Sequence, residues 1–137
     1  MRLSTKARYG VRILLDLALH DSPAPRQLRD IALSQQISEK YISRLIISLR
    51  RAELVCSVRG SQGGYRLSCD PKTVTLLDIV EVMEGPITLL DCVLAPQDCA
   101  RSSACSARLA WDRLSADIRS AMRKVKLQDL MHHKAHK

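Results

Sequence analysis

Residues 54–67 read Leu54-Val55-Cys56-Ser57-Val58-Arg59-Gly60-Ser61-Gln62-Gly63-Gly64-Tyr65-Arg66-Leu67. A β-prone run enters a short segment with three glycines, which supplies the positive φ of a tight turn, and Tyr65-Arg66-Leu67 returns as a second strand. Taken alone, this is a plain structural hairpin. The residues before it give it a context. Ser38 is a good N-cap for a helix with Glu39 in its first turn and Tyr41, Ile42, Leu45, Ile46 and Leu49 on its inner face. Gln35-Gln36-Ile37 interrupts, and residues 26–35 carry Leu28, Ile31 and Ala32 at helical spacing.

Helix, short turn, helix is weak evidence of DNA binding by itself, since any small helical domain has adjacent helices. Followed by a basic hairpin, it predicts a winged helix-turn-helix. The third helix would enter the major groove, and the wing, tipped by Arg59 and its glycines, would lie along the backbone or in the minor groove. Further upstream, residues 4–20 place Ala7, Val11, Leu14, Leu15 and Ala18 on one helical face, with Ser4 or Thr5 as N-cap. The breaker cluster Asp21-Ser22-Pro23-Ala24-Pro25 ends that helix.

Downstream, Asp70-Pro71-Lys72 makes a turn. Thr75 caps a helix that buries Leu76, Leu77, Ile79, Val80 and Met83 and stops at Gly85 and Pro86. These elements make residues 1–85 the DNA-binding domain. Periodicity disappears over residues 86–105, a cysteine-rich loop longer than a connector needs to be. Residues 106–130 read as a long helix and a short return. The helix sets Trp111, Leu114, Ile118, Ala121 and Val125 in an apolar seam edged by Arg113, Asp117, Arg119 and Arg123. A second copy pairing through that seam would make a homodimer with its recognition helices about one DNA turn, roughly 34 Å, apart. Packing of the helix on its own domain is the alternative. Residues 131–137 read as a polar, disordered tail whose histidines carry little weight as a metal site.

The chain of 137 residues is too short for a barrel enzyme or a doubly wound dinucleotide domain. It holds no Walker loop, dinucleotide fingerprint, Ser-His-Asp arrangement or paired catalytic carboxylates, so it does not read as an enzyme. Hydrophobic residues make up 46%, yet Phe is absent and aromatics are limited to three Tyr and Trp111, so the core must be aliphatic. Tyr9, Tyr41 and Tyr65 fall where they would pack that core. Net charge is +8 and unevenly spread: residues 1–66 hold 12 basic and 5 acidic residues, residues 67–137 hold 10 and 9. A polyanion partner for the first half follows, nucleic acid ahead of a membrane surface. With no 18-residue apolar run and no signal-peptide pattern at the start, a cytoplasmic location is expected.

In such a compartment five cysteines point to thiols, metal ligands or redox sensors ahead of disulfides. Cys92, Cys99 and Cys105 form C-x6-C-x5-C, too wide for a zinc knuckle and suited to a loop wrapped around a larger object such as an iron-sulfur cluster. Three incidental thiols are the alternative. Cys56 and Cys69, on or beside the wing strands, read as small buried hydrophobes without a role.

The sequence as a whole resembles a known family of bacterial winged helix-turn-helix transcription regulators, the one that includes IscR, NsrR, RirA and CymR. The resemblance lies in Met1-Arg2-Leu3-Ser4-Thr5-Lys6-Ala7-Arg8-Tyr9-Gly10, in Ile37-Ser38-Glu39-Lys40-Tyr41-Ile42 through Leu45 and Leu49, in the wing from Leu54 to Tyr65, and in Asp91-Cys92 through Cys105 with Trp111. It implies a homodimer that binds a double-stranded operator, with a 2Fe-2S or 4Fe-4S cluster on Cys92, Cys99 and Cys105 plus one further ligand. That ligand stays open. Arg108 stands where a cluster-binding relative has His, and Arg8 and Arg12 occupy the positions from which another relative lends an acidic residue across the dimer. Asp91, Asp98, Asp112 and His20 are the remaining candidates. Resemblance and chemistry together assign DNA contact to Ser38, Lys40, Ser43, Arg44 and Arg59. Two other readings stand beside this one: a cluster-free regulator of the same fold controlled by thiol oxidation or a partner protein, and a small iron-sulfur electron carrier or thiol enzyme.

Overall fold

A computed structural model of the chain describes residues 1–132; residues 133–137, most of the expected tail, lie outside the described residues. Its elements are α1 (Thr5–Leu19), α2 (Leu28–Gln35), α3 (Glu39–Arg51), β1 (Val55–Val58), β2 (Gly64–Leu67), α4 (Leu76–Glu84), the single turn α5 (Asp91–Leu94), two 3-10 turns at Pro96–Asp98 and Ser102–Ala104, α6 (Ser106–Lys124) and α7 (Leu127–Met131). The expected winged helix-turn-helix is present: mostly helical, with one antiparallel hairpin in the register Val55↔Leu67, Cys56↔Arg66, Ser57↔Tyr65 and Val58↔Gly64.

Helix α1 starts where Ser4 Oγ accepts from Lys6 N at 3.1 Å. The helix has no acid in its own first turn; Glu84, at the end of α4, supplies one from outside, accepting from Ser4 N at 2.8 Å and Ala7 N at 3.4 Å. Its buried stripe is Ala7, Gly10, Ile13, Leu14 and Leu17, turned slightly from the expected one, with Val11, Leu15 and Ala18 only half-buried at its edge. The turn follows from Gly10. A Cβ there would stand 2.7 Å from Met83 Cγ, so the missing side chain lets α4 lie directly on the α1 backbone.

Helix α2 starts two residues later than expected because Arg26 is drawn into extended pairing with the wing. Arg26 N donates to Tyr65 O at 2.9 Å, and Tyr65 N donates to Arg26 O at 2.8 Å. Gly64 permits the approach, since a Cβ there would meet Arg26 O at 2.4 Å. Helix α3 follows the sequence closely. Ser38 Oγ accepts from Tyr41 N at 3.2 Å, Ile42, Leu45, Ile46 and Leu49 are buried, and Arg50 and Arg51 face the negative end of the dipole. Thr75 and Asp78 form a reciprocal capping box on α4, and Gly85 ends it at φ 85°.

The core is aliphatic, as the composition requires, and it does not close at residue 85. Ile87 and Leu127 are buried in the same cluster as Ile13, Ile46 and Ile79, with Ile118 and Met122 of α6 packed against it. Beyond α6 the backbone returns: Leu76 N donates to Val125 O at 2.8 Å, Leu127 N donates to Val74 O at 2.9 Å, and the Leu127 side chain is 0% exposed. The tail expected from residue 131 therefore begins inside α7, which Leu127 anchors to the core. Cys56 also departs from expectation. It is exposed, because the outer face of a two-stranded sheet has no second layer to cover it; Cys69 is half-buried, its Sγ donating to Leu54 O at 3.6 Å.

Candidate nucleic-acid interface and cysteine loop

The buried face of α3 leaves the opposite face to solvent. Lys40 and Arg44, four residues apart, share that exposed face. Neither they nor Arg59 take part in an ion pair among the described residues. Ser38 is exposed, and its oxygen caps α3 while its hydroxyl proton remains available to an anion. Ser43 is half-buried and donates to Lys40 O at 2.8 Å, which turns its hydroxyl onto its own helix. Arg59 follows β1 and precedes Gly60, whose φ of 110° opens the turn closed by Gly63 N donating to Gly60 O at 3.0 Å. The start of α3 and the wing tip thus offer three unpaired cations on two elements of one small domain.

Some cations of the basic half are already engaged. The guanidiniums of Arg8 and Arg12 lie 4.8 and 5.2 Å from the centre of the Tyr9 ring. The Tyr9 ring meets that of Tyr41 edge-on at 5.7 Å, and Tyr41 Oη shares a hydrogen bond with Thr5 Oγ1 at 3.1 Å. These aromatics join α1 to α3, as the core assignment expects. Arg66 donates to Pro23 O; in the second half of the chain Arg119 pairs with Glu81.

One polar cluster escapes sequence reasoning. Arg26 Nε donates to Asp16 Oδ1 at 2.9 Å, and Gln35 Nε2 donates to Asp16 Oδ2 at 2.8 Å. Arg12 Nε donates to Gln35 Oε1 at 2.9 Å, and its terminal nitrogen reaches Gln35 O. Burial alone raises the Asp16 pKa, but hydrogen bonds from Arg26, Ser34 and Gln35 and the Arg26 charge more than reverse this and leave it below the usual carboxylate value. The partners are 10 and 19 residues from Asp16, so no local spacing announces them.

In the loop, Cys92 lies in α5 and is half-buried, Cys99 follows the first 3-10 turn and is exposed, and Cys105 is the half-buried N-cap of α6. All three are free thiols, the right donor type for a cluster. Their arrangement does not fit one. Among the described residues no three His, Cys, Asp or Glu side chains come together as a metal-holding group, so Asp91, Asp98, Asp112 and His20 complete no site with them. Arg108 braces the loop, its Nε donating to Ser102 O at 3.1 Å, and a guanidinium is no ligand.

The expected seam of α6 is split. Trp111 and Leu114 are 42% and 44% exposed and Ala121 is exposed. Ile118 packs half-buried on the core of its own chain, and Val125 lies past the helix end as its C-cap. Ser115, Ile118 and Met122 form the inward stripe. At about 100° per residue Leu114 and Ala121 lie roughly 80° around the helix from that stripe, while Trp111 shares its bearing and is left exposed one turn before Ser115. No helix among the described residues is long and apolar enough to cross a membrane.

The family description Rrf2, "Iron-dependent Transcriptional regulator", matches residues 3–133. The chain is 37% identical over 130 residues to the transcriptional regulator CymR of Bacillus subtilis, covering 95% of this chain and 89% of that protein. It is 36% identical over 131 residues to the transcriptional regulator IscR of Vibrio vulnificus, covering 96% and 77%. The solved structure of CymR, described as the global cysteine regulator of B. subtilis, superposes with a TM-score of 0.79 at 34% identity and covers 98% of both chains.

Proposed function

Because the chain belongs to the Rrf2 family of transcriptional regulators, we propose that it binds a double-stranded DNA operator as a homodimer and reads its signal through Cys92, Cys99 and Cys105. The observation that carries the DNA reading is the set of unpaired, exposed cations Lys40, Arg44 and Arg59 on α3 and the adjoining wing. Ser38 and Lys40 fix the register on phosphates, Ser43 joins them once its hydroxyl leaves Lys40 O, Arg44 reads a base edge, and Arg59 lies in or along a narrow groove. The exposed Trp111, Leu114 and Ala121 edge of α6 supports pairing with a second copy. The test is anisotropy titration against a duplex enriched from a randomised pool and against a scrambled duplex. A preference that Arg44→Ala or Arg59→Ala abolishes supports the reading; equal, steeply salt-dependent affinity for both duplexes refutes it.

Two chemistries compete at the cysteine loop. The family's iron-dependent description and the three free thiols favour an iron-sulfur cluster, which the loop would have to close to hold. The lack of a metal-holding group at the cysteines among the described residues and the likeness to a cysteine regulator favour a cluster-free regulator controlled by thiol oxidation or a partner protein. An anaerobic absorption spectrum with iron and sulfide assays separates them. Stoichiometric iron and sulfide, lost when the three cysteines are replaced by Ala, establishes the cluster. Colourless, iron-free protein from cells with ample cluster supply establishes the thiol reading.

A further inference from the structure

A two-stranded hairpin is marginal on its own, so the wing needs a third anchor. That anchor is the peptide unit of Arg26, which exchanges two hydrogen bonds with Tyr65 at 2.9 and 2.8 Å and is admitted by the missing side chain of Gly64. Arg26 itself lies in the connection 21–27 between α1 and α2, which has no regular structure of its own beyond this bridge. The Arg26 guanidinium on Asp16 Oδ1 at 2.9 Å ties that segment to the body of α1, beside the His20 ring nitrogen that meets Ala24 O at 3.0 Å at the helix's C-cap. The other carboxylate oxygen, Oδ2, takes Gln35 Nε2 at 2.8 Å, and Gln35 is the last residue of α2, next to the left-handed Gln36 that starts the turn into α3. Arg12, one turn before Asp16 on α1, holds Gln35 by its side chain and its carbonyl. The Asp16 side chain is only 5% exposed, and each oxygen serves a different DNA-facing element.

We propose that Asp16 is a positioning residue for DNA recognition: one carboxylate clamps the wing through Arg26 and the turn before α3 through Gln35, and so fixes the angle between the two elements that meet DNA. The proposal rests on the DNA-binding reading above. A purely stabilising role would be served equally well by an apolar cluster, because a buried ion pair gives little net stability over well-packed hydrophobes. What the pair adds is direction, since a hydrogen bond weakens steeply as it bends away from its preferred angle.

The experiment uses the full chain, the enriched duplex and a scrambled duplex of the same composition, with amide hydrogen exchange run in parallel. In Asp16→Ala, affinity for the enriched duplex falls about tenfold, while affinity for the scrambled duplex stays within about twofold, because no surface cation is removed. Exchange at the Tyr65 and Arg26 amides accelerates, while the α3 amides of Ile46 and Leu49 keep their protection. Arg59→Ala, which weakens the parent protein, adds little to Asp16→Ala, because the wing is already displaced. Asp16→Asn keeps the side-chain shape and one acceptor but turns an NH2 group on one of the two donors; it gives a smaller change in the same direction and serves if Asp16→Ala does not fold. Unchanged specific affinity with unchanged Tyr65 protection overturns the proposal. So does a parallel loss of specific affinity, non-specific affinity and α3 protection, which marks a merely structural residue. If the parent protein does not prefer the enriched duplex, the DNA reading fails, and Tyr65 exchange still decides whether Asp16 holds the wing.

Discussion

Single residues decide the closest approaches in this molecule. Gly64 faces the Arg26 carbonyl so tightly that a Cβ would stand 2.4 Å from that oxygen. Gly64→Ala should therefore separate the wing from Arg26 and destabilise the fold by about 1–3 kcal/mol, read as a lower midpoint in urea unfolding. Arg59 is exposed and free of ion pairs among the described residues, so Arg59→Ala should leave the unfolding midpoint unchanged and weaken operator binding by about 1–3 kcal/mol. The two variants separate what holds the wing from what the wing touches. Arg59 was legible in the sequence because a cation beside turn glycines needs no partner to be noticed. Asp16 was not, because its meaning comes from Arg26 and Gln35, which only folding brings to it.

At the scale of elements, local rules held where an element makes its own ends. Ser38 on α3 and Thr75 on α4 cap as their spacing predicts, whereas α1 borrows Glu84 from α4 for its first turn. Helix α7 shows the opposite case. Its five residues read only as a short return, yet Leu127 is 0% exposed, so Leu127→Ala should cost about 2–5 kcal/mol in urea unfolding, and a small effect would show that the return does not dock in solution. On α6 the outward residues Trp111 and Leu114 are 42% and 44% exposed. Trp111→Ser with Leu114→Ser should shift sedimentation towards the monomer without loss of helicity, since both side chains stand exposed outside the core of their own chain.

For the whole molecule, two carboxylates link folding to pH. Glu84 is held below its usual pKa first by the Ser4 hydroxyl, with slight burial opposing and the Ser4 and Ala7 amides and the Lys6 charge adding to the effect. Asp16 is lowered by the donors that outweigh its burial. Each binds its proton more weakly folded than unfolded. The stability they contribute is therefore present above the unfolded values of about 4 and is lost as pH falls through the lower folded ones. The melting temperature should stay level from pH 7 to about 5 and drop below about 4, and Asp16→Asn should flatten part of that drop. By itself the sequence determined the winged helix-turn-helix, its aliphatic core and the exposed basic face of α3, because helical period, caps and turn glycines act over a few residues and need no distant partner. Only the tertiary structure decided which face of α6 stays open, that residues 125–131 close the core, that Asp16 gathers Arg26 and Gln35, and that the three loop cysteines form no metal-holding group among the described residues. Each of these depends on groups far apart in the chain, whose meeting is fixed by packing and not by spacing.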